Sequence, residues 1–225
     1  MDVRESFTTI KKQINAAAEA SSRNPERVNV VAVTKYVSVK RTKEALDAGL
    51  THFGESRDEG LLEKVEALGT TPSWHFIGTL QSRKVKEVLP FVDYIHSLDR
   101  RSLAKEIQKR ADREINCFVQ VNVSGEDSKH GLSLDQTIPF IESLKEFSSI
   151  KVIGLMTMAP HTDDRNEIRS VFKQLRELGE SIQNLSLSHA PCNELSMGMS
   201  NDYEIAVEEG ATYVRIGSSL VGNEK

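Results

Sequence analysis

Lys35 closes the run Val28–Tyr36, VNVVAVTKY, where small and β-branched apolar residues give way abruptly to a cation. Such a run suits a strand buried on both faces. A lysine at the carboxyl end of a buried strand stands where α/β folds hold their ligands. Partial desolvation there is expected to lower its pKa and favour the neutral amine, the form that builds Schiff bases. The alternative is a side chain that leaves the sheet and reaches water. Two other stretches offer hydroxyls and unpaired backbone donors. Ser200–Asn201–Asp202 reads as a helix start, with free N–H groups and a Ser hydroxyl pointing the same way. Gly217–Ser218–Ser219 joins a residue that permits close backbone approach to two hydroxyls. Helix capping and an ordinary turn are the plainer readings of these two.

The histidines do not suggest a metal centre. All six, at 52, 75, 96, 130, 161 and 189, avoid the HxH and HxxxH spacings, and no cluster of His and Asp accompanies them. His52, His75 and His96 fall within or beside strands and are expected as core or wall positions with satisfied hydrogen bonds.

The elements that must position these groups alternate. Helices are expected over 2–21, 38–48, 58–68, 82–89, 100–111, 134–147, 163–182 and 201–210, several ending at Gly or before Pro. Strands are expected at 28–36, 52–55, 73–78, 92–97, 115–123, 151–157 and 213–217, with a seventh at 194–198 preferred over 186–189. An open doubly wound sheet would alternate too. Eight units, the first strand buried on both faces, favour an α/β fold closed into a (β/α)8 TIM barrel, with an extra N-terminal helix expected over the floor.

Composition agrees with one domain spanning 1–225. The chain has 225 residues, 38% apolar and 28% charged, as in ordinary globular proteins. A net charge of −4 gives no general attraction to nucleic acid. No apolar run is long enough to span a bilayer, and no secretory signal opens the chain, so a cytoplasmic monomer is expected. Cys117 and Cys192 are two lone thiols suited to a reducing compartment, although one bridge between them stays open.

In a barrel, all strand ends meet at one mouth, and phosphate commonly sits at the loops after strands seven and eight. A Schiff-base lysine on strand one facing such a cradle points to pyridoxal 5′-phosphate (PLP). Its aldehyde would meet Lys35, and its phosphate Ser200, Gly217 and Ser218. Arg215 would face the pyridine nitrogen, keeping it unprotonated and weakening the ring as an electron sink. An interior ion pair, for example with Glu55, is the other role open to Arg215.

Seven stretches in order, VAVTKY, HFGESR, WHFIGTLQSRK, VNVSGEDSKHGL, GLMTMAP, LSMGMSNDYEIAVEEGA and YVRIGSSLVG, resemble the pyridoxal phosphate homeostasis protein family from Val28 to Gly222. The resemblance implies a barrel like the N-terminal domain of alanine racemase and PLP held by Lys35. It implies phosphate contacts from Ser200, Gly217 and Ser218, and Arg215 at the ring nitrogen. Met158 falls where the racemases place a ring-stacking His. Ser56 stands where the family commonly has Asn, Arg83 where it commonly has Asn in LQSNK, and Ser218 where Thr is frequent.

Two functions compete. The resemblance implies a non-enzymatic PLP carrier in vitamin B6 balance, with apo PLP-dependent enzymes as recipients. The alternative is a racemase-like enzyme, which needs a second base opposite Lys35. None of the tyrosines at 36, 94, 203 and 213 reads as that base, and the chain stops soon after strand eight. An aldolase-type lysine barrel would explain Lys35 but not LSMGMS together with VRIGSS.

Overall fold

The computed structural model describes residues 1–126 and 129–224; Asp127 and Ser128, inside the VNVSGEDSKHGL stretch, and Lys225 lie outside the described residues. The strands are β1 (Asn29–Val33), β2 (His52–Glu55), β3 (Ser73–Phe76), β4 (Tyr94–Leu98), β5 (Ile115–Gln120), β6 (Ile150–Met156), β7 (Glu194–Ser196) and β8 (Tyr213–Ile216). They pair in parallel in sequence order, and β8 returns to β1 to close the barrel. The helices are α1 (Val3–Ala20), α2 (Val39–Asp47), α3 (Asp58–Leu68), α4 (Val85–Val88), α5 (Arg101–Arg110), α6 (Leu134–Ser143), α7 (Arg165–Asn184), α8 (Tyr203–Glu208) and α9 (Ser218–Val221).

Local chemistry accounts for these boundaries. Asp2 caps α1 by accepting the Glu5 N–H, and Ser38 caps α2 by accepting that of Arg41. Gly49 ends the second unit with φ +99, a backbone state other residues avoid. The choice for β7 is settled at Glu194–Ser196, because the chain leaves α7 through Ser186 at φ 52, which breaks any strand over 186–189.

Three expectations need correction. The helix expected over 82–89 is a 3-10 turn, Ser82–Lys84, followed by the single turn α4, since Gln81 provides no side-chain cap. The 134–147 helix stops at Ser143 and continues as 3-10. The Gly217–Ser218–Ser219 turn is the start of a further helix, α9. The two cysteines are buried free thiols and form no bridge.

The core has two parts. Between sheet and helices lie side chains such as Phe53, Trp74, Ile95, Leu103, Ile107 and Phe172, all fully buried. Inside the barrel, Val31, Phe118, Met156 and Tyr213 pack together, with Tyr94 and Ile153 against them. α1 packs on α8, α9 and α2 in the outer layer, and only its Phe7, Lys11, Ile14 and Asn15 edge borders a 170 Å³ cavity at the floor. Strands β6 and β7 approach so closely that a Cβ on Gly154 would stand 1.9 Å from the Glu194 carbonyl oxygen.

Candidate functional site

The base of Lys35 is fixed by a buried polar cluster. Thr34 donates its hydroxyl to Glu55 Oε1 at 2.6 Å, and Lys64 Nζ reaches both the Thr34 carbonyl (2.8 Å) and Glu55 Oε1 (2.6 Å). Glu55 is 1% exposed and Lys64 3%. Glu55 is therefore paired with Lys64 on α3, not with Arg215. Beyond this clamp Lys35 emerges into the mouth, its Nζ 4.8 Å from the centre of the Tyr36 ring. The side chain is exposed, which corrects the expected partial desolvation: one residue past buried Thr34, the chain has turned out of the sheet. The C-terminal segment braces this loop. Glu224 Oε2 accepts the Ser38 N–H at 2.5 Å, and Arg41 Nε donates to the Val221 carbonyl at 2.9 Å.

On the opposite side, the β7–α8 loop is folded around Asp202, whose Oδ1 accepts the Met199 N–H at 2.5 Å. Burial pushes the Asp202 carboxyl up, against the pull of that N–H and of Arg215. Ser200 Oγ accepts the Gly217 N–H at a long 3.4 Å, tying the β7 loop to the start of α9. In α9 the first N–H groups have no partner within the helix. Ser218 is exposed in the cavity wall, whereas the Ser219 hydroxyl is buried, outside the cavity lining and without a hydrogen-bond partner among the described residues.

Arg215 is 5% exposed. Its Nη1 donates to Ser196 Oγ at 2.5 Å and its Nη2 to the Thr157 carbonyl at 2.9 Å. Burial lowers its pKa to about 10, offset in part by Asp202. At neutral pH it is a cation that can only donate.

One cavity of 770 Å³ at the carboxyl ends of the strands joins these parts. Lys35, Ser56, Met158, Ser200, Arg215, Gly217 and Ser218, all seven residues singled out from the sequence, line it. Arg83 does not; it sits on the exposed 3-10 turn with its Nε on Gln81 Oε1 at 2.8 Å. Tyr36, His161 and Asn223 line the cavity as well. Tyr36 was open to discovery as the neighbour of Lys35. Asn223 reaches the mouth only because α9 turns the chain back, and α9 carried no signal beyond its Gly.

Fold and site together define a barrel whose mouth cavity carries a lysine after the first strand and serine hydroxyls at the last two. A family model described as alanine racemase, N-terminal domain, matches residues 7–225. The chain belongs to this family and, within it, to the pyridoxal phosphate homeostasis proteins. The protein of that name from Aquifex aeolicus is 39% identical over 232 residues, covering 100% of both chains. PipY of Synechococcus elongatus, solved with PLP bound, superposes with a TM-score of 0.83 at 28% identity, covering 98% of this chain and 100% of that one. Alanine racemase from Corynebacterium glutamicum, at 12% identity and a TM-score of 0.71, shares the barrel over 94% of this chain and 60% of its own.

Proposed function

We propose that this chain binds PLP at the barrel mouth through Lys35 and serves intracellular vitamin B6 balance as a carrier, not as an amino-acid racemase. The observation that carries this reading is the cavity that Lys35 shares with Ser200, Gly217, Ser218 and Arg215. The donor set fits the cofactor. Hydroxyls and the first N–H groups of α9 suit a phosphate dianion, and a donor-only guanidinium suits an unprotonated ring nitrogen. When bound, PLP would supply an aldehyde able to condense with an amine, with release of water. Lys35 provides that amine, while Thr34, clamped by Glu55 and Lys64, fixes where it leaves the sheet.

The carrier role rests on three supports. The relatives are named for homeostasis. The Arg215 cation withdraws the ring from its role as electron sink. The rim is open: Tyr36, Met158 and Met199 are 45%, 36% and 38% exposed, so the ligand has a way out. The racemase reading draws on Tyr36 and His161, two titratable groups in the cavity wall.

The purified protein mixed with PLP is expected to show a visible absorption band that borohydride abolishes, with the cofactor then fixed to Lys35. Lys35→Ala should lose band and trapping together; an unchanged band would move the linkage to another lysine. The loaded protein should hand PLP to an apo-enzyme. α-Proton exchange of L- or D-alanine that depends on Lys35 and exceeds free PLP over many turnovers would restore the enzymatic reading.

A further inference from the structure

The barrel interior contains a continuous line of polar contacts. His52 Nδ1 lies 2.9 Å from His75 Nε2, His75 Nδ1 lies 2.8 Å from His96 Nε2, and His96 Nδ1 lies 2.9 Å from Ser196 Oγ. Ser196 Oγ in turn accepts from Arg215 Nη1. The register explains the geometry. His52 pairs with Ser73, so His75 stands two residues higher on β3; His75 pairs with Tyr94, so His96 stands two residues higher on β4. The line therefore climbs one rung per strand, from the 170 Å³ floor cavity beside His52 to the mouth at Arg215. His75 is stacked on Tyr94 at 4.2 Å and 5°, and His96 lies 4.4 Å from Phe118, so neither ring is free to turn.

The donor inventory gives the line one direction. Arg215 only donates, so Ser196 Oγ must accept from it. Ser196 is fully buried, and its remaining partner among the described residues is His96 Nδ1. Its hydroxyl proton therefore points at that nitrogen, because a buried hydroxyl left without an acceptor is costly. His96 then carries its proton on Nε2 and donates to His75 Nδ1. His75 likewise donates from Nε2 to His52 Nδ1. The opposite polarity would give Ser196 two donors and leave its own proton with no acceptor.

We propose that His52, His75 and His96 form a one-way hydrogen-bond chain, each imidazole held as the Nε2–H tautomer, that positions Arg215 for the ring of its ligand. The ligand part rests on the PLP reading above. Neutral rings are consistent with the surroundings: burial first, then the adjacent histidines and, at His96, the Arg215 cation, hold His75 and His96 well below the ordinary histidine range. The proposal has a consequence at a distance. His52, half-buried at the floor, is the last acceptor. Without it, the His75 Nε2–H is orphaned, and the cheapest repair leaves both remaining rings in place and moves their protons from Nε2 to Nδ1. That shift puts a second donor on Ser196 and loosens its hold on Arg215.

The test reads tautomers directly by nitrogen-15 imidazole spectra of the ligand-free protein at pH 7.5, with PLP titrations alongside. Wild type should show His52, His75 and His96 protonated at Nε2 alone. His52→Leu should move the His96 proton to Nδ1 and weaken PLP binding roughly 3–10-fold, the worth of one hydrogen bond. His52→Asn, whose amide oxygen can replace Nδ1 as acceptor, should restore both. A proton on His96 Nδ1 in wild type overturns the chain, and that measurement stands even if His52→Leu fails to fold. Unchanged tautomers and unchanged affinity in a folded His52→Leu overturn it too. Should wild type fail to bind PLP at all, the cofactor reading falls and the positioning role with it; PLP binding with the wrong tautomers sinks only the chain.

Discussion

Replacing Lys64 with Met leaves the Glu55 carboxylate buried beside a single hydroxyl, that of Thr34. Glu55 and Lys64 are 1% and 3% exposed, and their contact is 2.6 Å, so solvent screens neither. Breaking such a pair by removing one partner costs about 3–5 kcal/mol. Against a typical total of about 5–15 kcal/mol for folding, that is a large share. Lys64 also donates to the Thr34 carbonyl, so about 1 kcal/mol of hydrogen bonding is lost as well. Urea denaturation followed by far-ultraviolet dichroism should show a markedly lower midpoint with an unchanged slope. Removing both charges, Lys64→Met with Glu55→Leu, should recover most of the loss, because two desolvation penalties vanish with the attraction. The double-mutant cycle should then give a coupling of at least about 2 kcal/mol. A loss below about 1 kcal/mol for Lys64→Met, or no recovery in the double variant, would refute the view that this pair clamps the base of Lys35.

Two further outcomes are expected. Ser200→Ala combined with Ser218→Ala should weaken PLP binding by about 1.5–3 kcal/mol per charge-assisted bond while barely changing the affinity for unphosphorylated pyridoxal; isothermal titration with both ligands decides, and equal losses would contradict the phosphate assignment. Acid should destabilise the fold early, because His75 and His96 have folded-state pKa values depressed by burial and bind protons more readily when unfolded. Their contribution is fully present above the unfolded value near 6.5 and is lost as pH falls below it, at about 1.4 kcal/mol per pH unit per ring. Urea midpoints at pH 7.5, 6.5 and 5.5 should fall accordingly, and His75→Phe should lessen the slope.

The elements most legible in the sequence were those with punctuation at both ends. β2 and α3 lie at His52–Glu55 and Asp58–Leu68 as expected, because Gly49, Gly69 and the acidic start of α3 mark their limits. The mouth residues were legible for a topological reason: once the strands close, their carboxyl ends have one place to meet. Long-range pairing was not legible. Lys64 sits on a helix whose pattern allows a solvated face, and nothing local says that it turns inward to Glu55. The three barrel histidines were correctly expected to be satisfied wall residues. That they satisfy one another depends on register, a property of the closed sheet that no segment carries alone. For Lys35 the sequence left two readings, partial desolvation or a side chain reaching water, and the structure has the second, because one residue separates a buried strand end from open solvent.

Arg215 illustrates how such a site weighs against the fold that holds it. Among the described residues no carboxylate touches it; Asp202 acts only at a distance, and the direct contacts are a hydroxyl and a carbonyl. Burial lowers its pKa to about 10, so the folded state disfavours the charged form, by an amount on the order of 3 kcal/mol. Burial of an unpaired cation is thus a standing cost, which a binding role would explain. Arg215→Gln removes the charge and keeps an amide able to donate toward Ser196 or Thr157. Its urea midpoint should be equal to or above that of wild type, with an unchanged slope. PLP affinity should nevertheless drop at least about tenfold, the equivalent of one charge-assisted contact. A variant that loses more than about 2 kcal/mol of stability would show that Arg215 supports the barrel. A more stable variant with unimpaired PLP binding would remove Arg215 from the site.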